Sequence, residues 1–383
     1  MIMSWPQVRA RRLLRHGLAG DGFGSVAEAA RAMCGTHAQV MSAAEISLGL
    51  RCPGVTRSDV RAALWTDQTL VKTFGPRGTV HLLPAEDLAL WLAALSAVPH
   101  EGSVPATMAM TDDQKAAVIT AIGDAVSEAG EAGLTLDELS EQVPARAGSW
   151  AGDLVMPAFQ QMWPRWRQSL NSAAHRGAAI FGPDRGRQVT YRSPAAFLKG
   201  RTPSTSKGLA WLVRAYLHGY GPARPRDFAQ WLAGPARWAE QLFADLANEL
   251  TEVQFADTIA YVVRGDTSTP DENAGGVRLL PYFDALVVGS HPRELLFPGP
   301  ASTRARSPSG QAGNYPTLLV DGEVAGVWHA KRSGSKIAIT VEPLRPLSAA
   351  QRRALDEEVE RIGTITEAKP TLTIGAVSVG GHA

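Results

Sequence analysis

The stretch Thr56–Leu83, TRSDVRAALWTDQTLVKTFGPRGTVHLL, changes its period part-way along. Thr56 stands ahead of Arg57–Ser58–Asp59 as a cap and opens a helix that runs through Trp65. TLVKTF and GTVHLL then read as two strands, and Gly75–Pro76–Arg77 between them is a tight turn. Upstream, SWPQVRARRLLRH at 4–16 is a helix opened by Ser4 with Pro6 in its first turn. Further helices are expected at Val26–Met33 and near Ser42–Leu50. Helices followed by a β-hairpin make the pattern of a winged helix, a helix-turn-helix module with a strand wing.

The pattern recurs along the chain. Thr111–Ala129 is amphipathic with Asp112 and Asp113 in its first turn, where the helix dipole favours acids. LTLDELSEQV gives a short helix, Leu154–Ala174 a third, and AAIFGPDRGRQVTYR a hairpin. A third copy runs from Ser204 through WLVRAYLHGYG, RPRDFAQWLAG and AEQLFADLANEL to the strands LTEVQF and IAYVVRG. A polar loop at Asp266–Gly276 follows, and the last hundred or so residues turn β-rich through VRLLPYFDALVVG, YPTLLVDGEVAGVWHAK and KIAITVEPL. A helix at Ala349–Ile362 precedes a final strand. The expected fold is α+β: tandem winged-helix modules with a small β-barrel-like C-terminal domain. The expected boundaries are 1–105, 106–202, 203–276 and 277–383.

A chain of 383 residues suits two to three domains at about 100–200 residues each. Its 45% apolar and 20% charged residues support a sizeable core and argue against disorder. The net charge of +1 does not announce a polyanion partner, but the distribution is uneven. Residues 101–160 hold ten acids and two bases, whereas 161–201 hold eight bases and one acid, Asp184. Such segregation either builds a polyanion-binding face or solvates two different helix surfaces. Cys34 and Cys52 form no CxxC pair, which excludes a four-cysteine metal site and suits a reducing cytoplasm. With no apolar run near the roughly 18 residues of a membrane span, the expectation is a cytoplasmic, monomeric protein with no membrane association.

Several familiar motifs fail. Gly20–Asp21–Gly22–Phe23–Gly24 has no preceding strand and no P-loop lysine. There is no His/Cys cluster at metal spacing, no nucleophile elbow and no lysine in the setting of a bifunctional glycosylase's nucleophile, so neither metal nor cofactor is expected. His37–Ala38–Gln39 is different. It follows Gly35–Thr36 at a helix end and precedes another helix. In an extended junction residues two apart point the same way, so His37 and Gln39 would face one cleft with Ala38 behind them. The plainer reading is that both side chains cap neighbouring backbone.

Four stretches, in order along the chain, carry a resemblance to a known family. They are Arg77–Leu82, Gly219–Ala223 with Asp227–Trp231, Leu279–Asp284, and Val320–Trp328. Together they resemble, over nearly the whole length, the winged-helix family that includes the bacterial AlkZ DNA glycosylases. In that family the active motif is Gln-apolar-Gln, or Gln-apolar-Asp in a broader-specificity branch, placed in the first winged helix. Here that place holds His37–Ala38–Gln39. The second position matches the AlkZ branch and the first departs from it.

The resemblance implies hydrolysis of the N-glycosidic bond of alkylated purines in double-stranded DNA, with bulky guanine N7 adducts of a genotoxic natural product as substrates. N7 alkylation makes the base a good leaving group, so catalysis needs a positioned water and stabilisation of an oxocarbenium-like sugar. Glutamine orients water but cannot take its proton; histidine, with an ordinary pKa near ~6.5, does both. His37 is therefore assigned to water activation and Gln39 to positioning water and sugar. Without a lysine nucleophile the enzyme should be monofunctional. DNA contacts are expected from Arg77 in the first wing, from Arg185 and Arg187 in the basic run, and from Arg304 and Arg306 on a probing hairpin within Pro300–Tyr315. The alternatives are a non-catalytic winged-helix regulator and a protein that sequesters the genotoxin itself.

Overall fold

The computed structural model describes residues 1–99, 105–158, 161–270 and 275–381. The centre of the expected polar loop, 271–274, and the residues before the first expected boundary, 100–104, lie outside the described residues. Ser4 begins α1 (Trp5–Arg15) with a capping box: its hydroxyl accepts from the Gln7 amide while the Gln7 side chain accepts from the Ser4 amide. α2 (Val26–Ala32), the two-residue strand β1 (Thr36–His37), α3 (Met41–Gly49) and α4 (Arg57–Trp65) follow, the last capped by Thr56 and Asp59. β2 (Leu70–Phe74) and β3 (Val80–Pro84) form the hairpin read from the sequence. β1 joins the far side of β3, so the sheet order is β1-β3-β2. α5 (Leu88–Leu95) then leads away from it.

The next block contains α6 (Asp112–Glu128), β4 (Leu134–Thr135), α7 (Leu136–Ala147), β5 (Leu154–Ala158), β6 (Gln161–Pro164) and α8 (Leu170–His175), then β7 (Ile180–Arg185), β8 (Gln188–Arg192) and α9 (Ala195–Leu198). The long helix expected at 154–174 does not form. β5 and β6 pair antiparallel over its first part, and α-helix is confined to Leu170–His175. Pro157 and Pro164 account for this, since each lacks an amide proton and clashes with a preceding helical turn. α10 (Thr205–Tyr220), α11 (Pro225–Leu232) and α12 (Ala236–Asp245) precede the hairpin β9 (Leu250–Phe255) and β10 (Thr258–Val263).

In the last part, β11 (Val277–Leu280) is followed by α13 (Ala285–Gly289), α14 (Arg293–Leu296) and α15 (Ala301–Arg304). Then come β12 (Thr317–Val320), β13 (Glu323–Ser333), β14 (Lys336–Pro343), α16 (Ala349–Thr366) and β15 (Lys369–Ile374). The mixed α+β class holds, but the expected barrel does not close. The five strands run in the order β11-β12-β13-β14-β15, with β11 and β15 as free edges. Leu355, Val359, Ile362 and Ile365 of α16 pack with Leu279, Val327 and Ile339 of the sheet. The sheet therefore buries its apolar face against a helix rather than by curling on itself.

The cores interlock distant segments. Met3 and Val8 pack on the β9–β10 hairpin, Leu13 and Leu18 join the C-terminal core, and Trp91, Ala94 and Leu95 of α5 pack with α10. Arg11 and Arg12 are buried as well: Arg11 donates to the Ser268 and Asp266 carbonyls, and Arg12 to the Pro222 carbonyl. Among the described residues no helix is long and apolar enough to cross a membrane.

One ion pair fixes the first sheet block to the C-terminal part. Arg51 and Asp284, both with 0% side-chain exposure, form two guanidinium–carboxylate bonds of 2.9 and 2.8 Å, and Ser47 donates to the same carboxylate at 2.7 Å. Burial alone would raise the Asp284 pKa; the charge and hydrogen bonds of Arg51 and the Ser47 bond outweigh it and hold it below its ordinary 3.8. Its contribution to stability is thus present above the unfolded-chain value and falls as pH drops below 3.8 toward the lower folded value. Asp284→Ala leaves Arg51 buried and unpaired and should cost about 3–5 kcal/mol. Urea denaturation at pH 7 checks this; the difference between wild type and variant should shrink on acidification.

Candidate active site

His37 is placed by its strand. In β1 it stands opposite His81 of β3, while Thr36 stands opposite Leu82 and the Ala38 amide donates to the Val80 carbonyl at 2.7 Å. The approach demands glycine before it: Gly35 has φ +91°, and a Cβ there would lie 2.8 Å from Leu83 Cδ2. The His37 ring is 9% exposed, lies 4.5 Å centroid to centroid from Phe283 and meets His81 edge-on at 5.2 Å.

His81 is buried, and its Nδ1 lies 2.8 Å from the Thr79 carbonyl. A carbonyl only accepts, so that bond assigns the proton to Nδ1. Burial, followed by the nearby His37 and Arg77, lowers the His81 pKa well below 6.5 and keeps it neutral at neutral pH.

A cavity of about 430 Å³ opens on His37. Its walls come from three parts of the chain: Arg77 and Thr79 of the first hairpin, Gln230 and Trp231 of α11, and Phe283, His291, Arg293 and 309–312 with Asn314 from the C-terminal part. Arg77 adopts a left-handed φ of +62° and donates to the Trp231 carbonyl at 2.6 Å. Arg77 therefore faces the cavity instead of reaching outward from a wing. Arg293 donates to the Val287 and Val288 carbonyls. Burial lowers both guanidinium pKa values to about 10. Among the described residues no lysine lines the cavity, and no group of three or more His, Cys, Asp or Glu is placed to hold a metal.

The remaining expected residues are scattered. Gln39 is exposed, in a bend after β1 has ended, and is not among the cavity-lining residues; the strand that would align it with His37 stops at His37, two residues before it. Arg185 pairs with Glu138 at 2.7 Å, and Arg187 is exposed at the tip of the β7–β8 hairpin. The segment 300–315 is not a hairpin: it is the short α15 followed by turns, and Ala301, Ala305 and Ala312 anchor it in the C-terminal core. Arg304 there binds the Glu342 carboxylate through two bonds and the Val377 carbonyl through a third. Arg306 donates to the Gly310 carbonyl and lies over the Phe297 ring. His81, Phe283, His291 and Arg293 were missed. The first two lie inside stretches noted for their resemblance, but only a three-dimensional arrangement turns them toward His37.

A family model described as "DNA glycosylase AlkZ-like" matches residues 30–365, most of the chain. The chain belongs to the AlkZ-like DNA glycosylase family. It is 29% identical over 346 residues to an interstrand DNA cross-link repair glycosylase of Streptomyces sahachiroi, covering 86% of this chain and 88% of that protein. The solved structure of the Streptomyces sahachiroi DNA glycosylase AlkZ superimposes with a TM-score of 0.79 at 26% identity, covering 98% of this chain and 100% of that one. This AlkZ-like chain is thus an enzyme, a DNA glycosylase, and its substrate is DNA.

The arginine environments separate two kinds of behaviour. Arg304→Ala should lower stability by about 1 kcal/mol through loss of the Glu342 pair, and non-additively with Glu342→Ala. Arg187→Glu should leave stability unchanged, weaken binding to all duplexes alike and flatten its salt dependence. Thermal unfolding and salt-titrated DNA binding of the two variants distinguish them.

Proposed function

We propose that this glycosylase hydrolyses the bond between deoxyribose and an alkylated purine, acting as a monofunctional enzyme that leaves an abasic site. The observation that carries the reading is His37, positioned by β1 on the wall of a polar cavity at the place where the family keeps its motif. His37 activates the attacking water. Its aromatic neighbours Phe283 and His81 fix the ring plane, and a fixed ring is what proton abstraction from a positioned water requires. Gln39, exposed two residues on, meets the sugar and its water once DNA closes over the bend. A glycosylase with a lysine nucleophile would place that amine at the sugar; the described lining residues of this cavity include no lysine, in keeping with simple hydrolysis.

DNA is held by three winged-helix modules, each a helix set with a hairpin: β2–β3, β7–β8 and β9–β10, within 1–105, 106–202 and 203–276. The part from 277 onward brings Phe283, His291 and Arg293 to the site. The enzyme works as a monomer in the cytoplasm.

The preferred substrate is a bulky guanine N7 adduct of a natural product, as in self-resistance to a DNA-alkylating metabolite. An acid at position 39 would give the stronger general base of the broader branch; glutamine there leaves the reaction dependent on the leaving-group activation that N7 alkylation supplies. The curated relative, a cross-link repair glycosylase, supports large lesions as substrates.

His37→Ala and Gln39→Ala should each slow single-turnover base release by roughly two orders of magnitude, with unfolding temperature and DNA affinity near wild type. Wild-type rates in both variants would refute the assignment. In one duplex context, a bulky N7 adduct should be released faster than uracil; efficient uracil release would overturn the substrate reading.

A further inference from the structure

The cavity beside His37 has an unusual charge balance. Arg77 and Arg293 both line it, and no Asp or Glu is among its described lining residues. The groups that the two guanidiniums already contact are backbone carbonyls, which accept hydrogen bonds but carry no net charge. Burial is the largest cause of the lowered pKa of each, and Arg293 is opposed further by Arg306 and Arg77. The acid that does act on Arg293 is Asp227, and its carboxylate already takes two bonds from the Arg224 guanidinium and one from the Arg224 amide.

A second observation points the same way. His291 lines the same cavity at 7% exposure; its Nδ1 stands 4.0 Å from the Asp227 carboxylate, and its buried Nε2 has no hydrogen-bond partner among the described residues. A buried polar atom without a partner costs free energy unless a ligand completes it. The cavity's roughly 430 Å³ is ample, since one water occupies only about 30 Å³.

We propose that this cavity is an anion site in which Arg77 and Arg293, with His291 on the same wall, hold a DNA backbone phosphate flanking the damaged nucleotide, thereby setting its deoxyribose against His37. The placement rests on the proposed role of His37, but the site itself does not. Two half-buried guanidiniums without a counter-anion would oppose the positive charge that develops on the sugar. A phosphodiester between them offsets one of the two charges and places its own negative charge on the side of the oxocarbenium-like centre. Guanidinium forks suit phosphate oxygens, and the substrate, DNA, supplies one at every nucleotide. Free inorganic phosphate shares this chemistry, so the test separates the two sources.

The probe is a duplex containing a tetrahydrofuran abasic analogue, with one phosphate at a time replaced by an uncharged methylphosphonate on either side of the lesion. Binding is the readout, so neither the excised base nor the role of His37 enters it. For wild type, one position near the lesion should weaken binding about tenfold or more, the scale of one hydrogen-bonded charge contact. Arg77→Met should bind the all-phosphate duplex weaker by a similar factor and show no further loss at that position. Arg77→Lys should recover part of the sensitivity. Arg293→Met should behave as Arg77→Met does if its unfolding temperature is preserved; otherwise Arg77 carries the test. His37→Ala should keep the full interference pattern, so loss of excision with intact interference separates failure of the catalytic reading from failure of this one. Indifference of wild type to every methylphosphonate would overturn the proposal, as would losses that multiply in Arg77→Met. Competition by inorganic phosphate at matched ionic strength, with no methylphosphonate effect, would also overturn it in favour of a free-phosphate site.

Discussion

The Arg51–Asp284 pair ties the first sheet block, which carries His37, to the C-terminal part of the molecule. Asp284 does two jobs at once. Its carboxylate neutralises Arg51, and it also accepts from the Leu286 amide to cap α13. The residue immediately before it, Phe283, takes a left-handed φ of +55° and lays its ring against His37. A buried ion pair adds little net stability, because desolvating two charges offsets most of their attraction, but it tolerates almost no displacement. A shift of Asp284 would move Phe283 with it, and the wall of the site would go too. A neighbouring contact repeats this geometry: Arg361 of α16 donates to the Leu50 carbonyl. The first sheet block and the C-terminal sheet thus meet through directional bonds, and those bonds fix His37 relative to residues some 250 positions away.

Around the cavity, permanent and switchable charges are treated differently. Burial pushes His81 well below 6.5 and His291 to about 3, so both stay neutral across the range in which DNA repair operates. The arginines keep their charge even at a lowered pKa of about 10. The site therefore presents a nearly constant positive charge and neutral imidazoles. Neutral imidazole accepts a proton from water, whereas imidazolium does not, and an electropositive wall favours the neutral form. Arg77 beside His81 and Arg293 beside His291 thus add to burial in keeping those two imidazoles neutral.

Local signals were legible in the sequence and long-range ones were not. Ser4 and Thr56 stand at the helix starts expected of them, and the first hairpin folds where Gly75–Pro76–Arg77 marks a turn. Caps and turns act through backbone groups a few residues away, so the chain spells them out. The helix read at 154–174 failed because its apolar content was weighed above Pro157 and Pro164, which forbid a continuous helix. The 300–315 segment looked like a free probe because alanine gives a weak apolar signal. Ala305 nevertheless has 0% exposure, with its packing partners supplied by the distant sheet. The barrel failed for a related reason: strand-rich composition does not say whether a sheet closes or is covered, and here α16 covers it.

The site divides along the same line. His37 could be singled out because it follows a left-handed glycine at a helix end, a local feature. Its partners could not, since His81, Phe283, His291 and Arg293 belong to three later segments brought together only by the fold. Arg77 shows the difference within one residue. From sequence it is a basic side chain at a hairpin turn, the usual setting of a solvent-facing phosphate contact. In the fold the turn's left-handed backbone points it inward to the Trp231 carbonyl, where desolvation strengthens any interaction with an anion. A charge placed there faces the cavity beside His37 and not the outer surface of a wing. The charge of this cavity is therefore set by which basic groups the fold turns inward, and the +1 net charge says nothing about it.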